Sequence, residues 1–277
     1  MGHDTVSTPN LSFGRAEEPG HGTPYARYVR LEELHGLQHP RSKVPAELSF
    51  IVTTQVMELL FDLLRHEWTQ AQQALREDDV PGALAALRRG THVQDVLVNS
   101  WDLLATMTPL EFGAFREALG EASGFQSSAF LRLEFLLGNK SAHLLRMYEE
   151  APDTHAELAG ALQAPGLYDD TLALLARRGL AVPYEPSAER YRPSPEVAAA
   201  WRRVYTDPAE FPGLAELGEV LLDVAERVTR WRQRHYSSVK RTMGDKPGTG
   251  GSSGLAWLKR SAEQDVFPEL WTVRNEL

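Results

Sequence analysis

Two long segments of this chain set apolar side chains at helical spacing, and stripes of that length can be buried only by packing helices against one another. In the first, Phe50, Thr54, Met57, Phe61, Leu64 and Trp68 recur at alternating steps of four and three, which predicts a helix over 46–77. One member of that stripe, Thr54, is polar. In the second, Leu217, Leu221, Val224, Val228, Trp231, His235 and Ser238 repeat the same spacing over 213–243, and Gly244 supplies the stop.

The segments between them carry helical punctuation as well. Pro81 opens a run through Leu84, Leu87, Leu97, Trp101 and Leu104. Thr108-Pro109-Leu110-Glu111 reads as a capping box with proline in the first turn, opening a short helix that Gly120 closes. Further helices are predicted near 127–137, 168–178 and 195–205, with a proline-rich connection over 183–195. No stretch alternates apolar and polar residues over a useful length, so the expected class is all-α, a bundle of long helices.

With 42% hydrophobic residues in 277, the chain can bury one large core. Residues 1–22 are rich in Gly, Pro, Ser and Thr without an apolar period, and are expected to form a flexible segment ahead of a single helical domain over 23–277. A formal charge of −9 argues against nucleic-acid or anionic-membrane partners, which are held by Lys and Arg. No run approaches a membrane span and the N-terminus has no secretory h-region, so a cytoplasmic protein is expected. The absence of cysteine excludes disulfides, iron–sulfur clusters and thiolate-bound metal, leaving His and carboxylate as possible metal ligands.

Of nine histidines, only His235 stands on an apolar helical stripe. Taken alone it reads as a core histidine whose ring nitrogens are satisfied by hydrogen bonds, with a metal ligand as the other reading. Arg116, close behind Phe112 and Phe115, is either a snorkelling surface arginine or a fork for a carboxylate. The Gly-rich run 244–254 lacks Walker A and G-x-G-x-x-G spacing, so it is either a linker or a backbone that closely approaches a ligand, with hydroxyl donors at hand.

Several stretches together resemble the tryptophan 2,3-dioxygenase family: TPYARYVRLEELHGLQHP (23–40), FIVTTQ (50–55), TMTPLEFGAFREALGEASGFQS (106–127), LGNK (137–140), GTGGSSG (248–254) and FPELW (267–271). The resemblance implies an all-α, homotetrameric haem oxygenase of tryptophan. It implies b-type haem (iron protoporphyrin IX) with His235 as the axial iron ligand, and backbone at Gly250 and Gly251 lying close to the cofactor. Arg116 would grip the substrate carboxylate, Thr249 would contact its amino-acid end, and Phe50 and Phe112 would lie around the indole. Tyr25 and Tyr28 would reach into a neighbouring subunit's site. In the family's chemistry, O2 adds both its atoms across the indole C2–C3 bond to give N-formylkynurenine.

The chain departs from the family pattern at the distal position, where Thr54 stands in place of a histidine and becomes the candidate distal catalytic residue. Phe112 replaces a common tyrosine, and Glu58-Leu59-Leu60 replaces the usual ELW. These changes imply a remodelled pocket. They point to a specialised-metabolism member acting on L-tryptophan or a substituted, for example β-methyl, tryptophan and forming a 2-oxindole with one oxygen atom, as the maremycin-pathway relative does. Ring-opening dioxygenation is the alternative, and a non-catalytic haem-binding protein the second alternative.

Overall fold

A computed structural model describes residues 22–183, 185, 187–246 and 254–277. The chain divides between His39 and Pro40 into two compact units. The expected 22/23 boundary falls where the described residues begin, and the expectation of a flexible segment before it lies, apart from Gly22, outside them.

The first unit carries two short helices, α1 (Pro24–Tyr28) and α2 (Leu31–His35). Thr23 caps α1 by accepting the Ala26 amide at 3.2 Å, and Pro24 occupies the first turn. The two are separated by Arg30, which is left-handed at φ 54° and bonds Glu33.

In the second unit the long predicted helices are present: α3 (Pro45–Arg76), α4 (Val80–Leu104) and, later in the chain, the 30-residue helix Leu214–Met243. Asp79 caps α4 with a 3.0 Å bond from the Gly82 amide, and the three residues between α3 and α4 fold them back as a helical hairpin. Their backbones approach closely at Gly90, where an added Cβ would lie 3.0 Å from Trp68 Nε1 and 3.3 Å from Leu64.

The capping box at Thr108 and Glu111 forms as read, opening α5 (Pro109–Phe115), which runs into a 3₁₀ turn (Arg116–Leu119) ended by Gly120 at φ 59°. Next come α6 (Ser128–Leu136), α7 (Pro152–Gln163), α8 (Leu167–Arg177), α9 (Pro195–Thr206), α10 (Leu214–Met243), α11 (Leu255–Ala262) and α12 (Pro268–Thr272). Helices α7, α11 and α12 have no counterpart in the sequence reading. α11 and α12 are short, α7 buries only two residues, and none of the three has a side-chain cap to announce it. No strand occurs among the described residues, and none of their helices is long and apolar enough to cross a membrane.

The main core is built where α3 lies along α4 and α4 along α10, with Trp68, Leu87, Leu172, Trp201 and Leu221 excluded from solvent. Burying an aliphatic or aromatic side chain of this kind contributes roughly 1.5–3 kcal/mol. One buried carboxylate is paired across helices. Asp170 of α8 accepts Arg76 at 2.8 Å through both of its oxygens and Gln72 at 2.6 Å, tying α8 to α3.

Candidate functional site

One face of α10 and the facing side of α3 do not close on each other but leave a cavity of about 610 Å3, walled also by α5, α6 and α11. That volume lies within the range of roughly 300–1,000 Å3 typical of small-molecule and cofactor sites. Its wall is dominated by aromatic and aliphatic side chains, among them Phe50, Phe61, Trp101, Phe112 and Trp231.

His235 projects from α10 into this wall. Its ring stacks on Trp101, with centroids 4.5 Å apart and planes 16° apart, and meets Trp231 edge-on at 5.3 Å. The two indoles hold the imidazole plane, and neither Nε1 has a hydrogen-bond partner among the described residues. Burial favours the uncharged form, so the His235 pKa falls from 6.5 to about 4 and the ring is neutral at pH 7. The ring is also half-buried, its accessible part belonging to the cavity wall, which reconciles a strongly desolvated group with a reachable nitrogen. A satisfied core histidine would show a partner on a ring nitrogen, and His235 has none among the described residues.

Thr54, on α3, lines the same cavity. Its hydroxyl donates back into its own helix, to the carbonyls of Phe50 and Ile51 at 2.9 Å each. With the single proton committed there, what the oxygen presents outward is acceptor capacity. Phe50 packs against Phe112 at 6.2 Å and Phe115 at 5.6 Å, and the last two meet edge to face at 5.3 Å, forming an aromatic corner held by the α5 capping box.

The structure brings together Phe50, Thr54, Phe112 and His235. Arg116 follows one turn after Phe112, half-buried at the start of the 3₁₀ turn, and is not part of the cavity wall. Thr249, Gly250 and Gly251 lie outside the described residues, although Lys246 and Gly254 on either side of that stretch both line the cavity. Tyr25 and Tyr28 belong to the first unit and are 67% and 89% exposed.

Beside the cavity lies an ion pair that the sequence reading did not find. Arg232, one turn before His235 and 3% exposed, donates to both oxygens of Glu134 on α6 at 2.8–2.9 Å and to the carbonyls of Ser261 and Gln264 at 3.3 and 3.0 Å. Asn139 donates to the same carboxylate. The pair locks α10, α6 and the end of α11 together. Its only sequence signal was a charge beside an apolar stripe, because its partner is 98 positions away.

Two of the motif stretches have structural roles. Lys140 of LGNK is buried and bonds the Ala164 and Ser187 carbonyls at 2.6 and 2.8 Å, burial lowering its pKa. Glu269 of FPELW accepts Tyr168 Oη at 3.0 Å, Tyr191 Oη at 2.6 Å and the Ser194 amide at 2.8 Å. Burial next to this carboxylate pushes the Tyr168 and Tyr191 phenols up.

The model of the tryptophan 2,3-dioxygenase family matches residues 10–178 and 195–277. The chain belongs to that family. Among its relatives, tryptophan 2,3-dioxygenase of Caulobacter vibrioides is 43% identical over 257 residues, 91% of this chain and 98% of the relative. The Bacillus cereus protein of the same name is 40% identical over 91% of this chain and 92% of its own length, and that of Burkholderia pseudomallei 42% over 91% and 84%. Within the tryptophan 2,3-dioxygenase family, the all-helical fold expected from the two stripes is the fold observed.

A lone imidazole cannot hold a bare metal ion, and no group of three or more His, Cys, Asp or Glu side chains among the described residues forms such a site. A metal whose other donors come with a planar macrocycle needs only one axial protein ligand. Two histidines line the cavity: His143, whose Nδ1 is hydrogen-bonded with Ser141 at 2.7 Å, and His235, neutral and without a partner among the described residues, and it is His235 that meets that requirement.

Proposed function

We propose that this protein is a haem-dependent tryptophan 2,3-dioxygenase that opens the indole ring of L-tryptophan with O2 to give N-formylkynurenine. The observation that carries the reading is His235: a neutral imidazole, clamped between Trp101 and Trp231 and without a hydrogen-bond partner among the described residues, in the wall of an apolar cavity shared with Thr54. The names of the relatives favour this reaction over the one-oxygen 2-oxindole outcome that the changes at Thr54 and Phe112 suggest.

His235 would hold the iron of a b-type haem, and the bound group would supply the iron chemistry that activates O2. The chain's own share is orientation and exclusion of water. The Phe50–Phe112–Phe115 corner offers flat apolar surface to an indole. Thr54 Oγ1, its proton given to the Phe50 and Ile51 carbonyls, accepts the indole N–H, a role open to a neutral hydroxyl at any pH. Arg116 and Thr249 take the carboxylate and ammonium end of the substrate, and Gly250 and Gly251 allow the backbone close to the cofactor.

The functional unit is a homotetramer in the cytoplasm. Self-association is supported by an apolar stripe on the outer side of α3, where Leu48, Val52, Val56, Leu59 and Leu63 are each 40–50% exposed, with Val96 and Leu103 of α4 exposed as well. Tyr25 and Tyr28, exposed in the first unit, would complete a neighbour's site.

Purified haem-loaded protein is expected to change its visible spectrum on addition of L-tryptophan and to place two labelled oxygens in the product under 18O2. One labelled oxygen in an unopened ring would replace dioxygenation with 2-oxindole formation. No spectral response to tryptophan or β-methyltryptophan would sink the enzyme reading.

A further inference from the structure

The basic side chains in the cavity wall fall into two kinds. Lys140 is spent on the Ala164 and Ser187 carbonyls. Arg190, Arg260 and Lys246 are exposed members of the wall that make no ion pair or hydrogen bond with another described residue, and of these only the two arginines carry the forked guanidinium that meets a carboxylate with two parallel bonds. Shortage of carboxylates is not the reason, since the chain has 38 acidic against 29 basic residues and arginines elsewhere are widely paired.

Both arginines are tied into the cavity wall by fixed structure. Arg190 sits in a loop pinned on either side: Ser187 through its carbonyl to Lys140, and Tyr191 through its amide to the Gly138 carbonyl at 3.1 Å and its phenol to Glu269. Gly138 is followed by Asn139, whose side chain bonds Glu134, whose carboxylate holds Arg232, which in turn grips the carbonyl of Ser261, next to Arg260. Arg232 is one turn from His235 on α10, so this chain of bonds lies beside the imidazole.

We propose that Arg190 and Arg260 form a clamp for a pair of carboxylates at the edge of a flat apolar ligand, namely the two propionate groups of haem. The inference rests on the haem reading above and deepens it. A cofactor that is apolar over most of its area and doubly anionic at one edge matches an apolar chamber whose wall carries two uncommitted guanidinium groups.

The test uses the full-length haem-loaded protein and follows haem transfer to excess apomyoglobin. Arg190→Gln and Arg260→Gln are each expected to speed release about fivefold, and the double variant roughly twentyfold, as for charge-assisted bonds at a partly solvated site. The apoprotein is expected to prefer haem over its uncharged dimethyl ester, and the double variant to lose that preference. Lys259→Gln, on exposed α11 surface outside the cavity wall, is the control and is expected to release haem at the parent rate.

Unchanged release together with a retained preference against the ester overturns the clamp. Equal acceleration by Lys259→Gln also overturns it, because the effect would then be a general one of net charge. If release is unchanged but tryptophan affinity falls, the arginines serve the substrate's carboxylate and the propionate assignment is wrong. A parent protein that binds neither haem nor its ester would instead overturn the haem reading itself.

Discussion

The helices α3 and α10 contribute facing walls to the same cavity, yet their outer sides differ. Every exposed position of α10 is polar, among them Glu216, Glu219, Asp223, Glu226, Arg230 and Arg234. On α3 the exposed positions include Leu48, Val52, Val56, Leu59 and Leu63. Val52 lies two residues from Phe50, about 200° around the helix, so the outer stripe runs opposite the inner one. One helix therefore has a single partner, the rest of its own subunit. The other is apolar on two sides, and the proposed assembly would cover its outer side with a copy of the chain.

The largest break in this comparison is expected at His235, where His235→Ala should abolish the haem absorbance spectrum of the purified protein. A normal haem complement in that variant would contradict the axial assignment. Next comes the buried side of α10: Arg232→Ala strands Glu134 and is expected to cost about 3–5 kcal/mol in denaturant unfolding, whereas the double change to Arg232→Met and Glu134→Leu should recover most of it. Equal losses in the single and double variants would mean the pair is not the locking element.

On the outer side of α3, Leu59→Glu is expected to shift the assembly toward monomers in light scattering while changing subunit stability by less than about 1 kcal/mol. An unchanged oligomer would leave the outer stripe without the assigned role. Inside the cavity, Thr54→Val keeps the shape and removes the acceptor, so tryptophan affinity should fall about fivefold, close to 1 kcal/mol, with haem content unchanged. At the small end, Arg234→Gln on α10 breaks only a solvent-exposed pair with Asp102, and its effect on stability should stay below about 0.5 kcal/mol.

Much of the long-helix architecture could be read from periodicity, because a stripe at 3.6-residue spacing is a local property of the chain. The boundaries expected at 46–77 and 213–243 lie within a residue of those observed for α3 and α10. Helices with few buried positions escaped: α7, although as long as α9, buries only Leu158 and Leu162 and offers too few repeats to establish a period. Candidate site residues were legible unequally. Phe50, Thr54, Phe112 and His235 meet in the cavity as their stripes and motifs imply. Arg116 stands outside its wall, and Thr249, Gly250 and Gly251 lie outside the described residues.

By itself the sequence determined that the chain is all-helical, that it belongs with the tryptophan 2,3-dioxygenases, and that His235 stands on a buried face, because spacing and motif are written along the chain. It could not say whether that imidazole was satisfied or free. That depended on Trp101, far away in sequence, closing over one side of the ring, on Trp231 meeting it edge-on, and on no donor or acceptor among the described residues reaching it. The same holds for Arg232 with Glu134, and for the two arginines in the cavity wall. Charges are visible in any sequence, but whether each one has a partner is decided only when the helices pack.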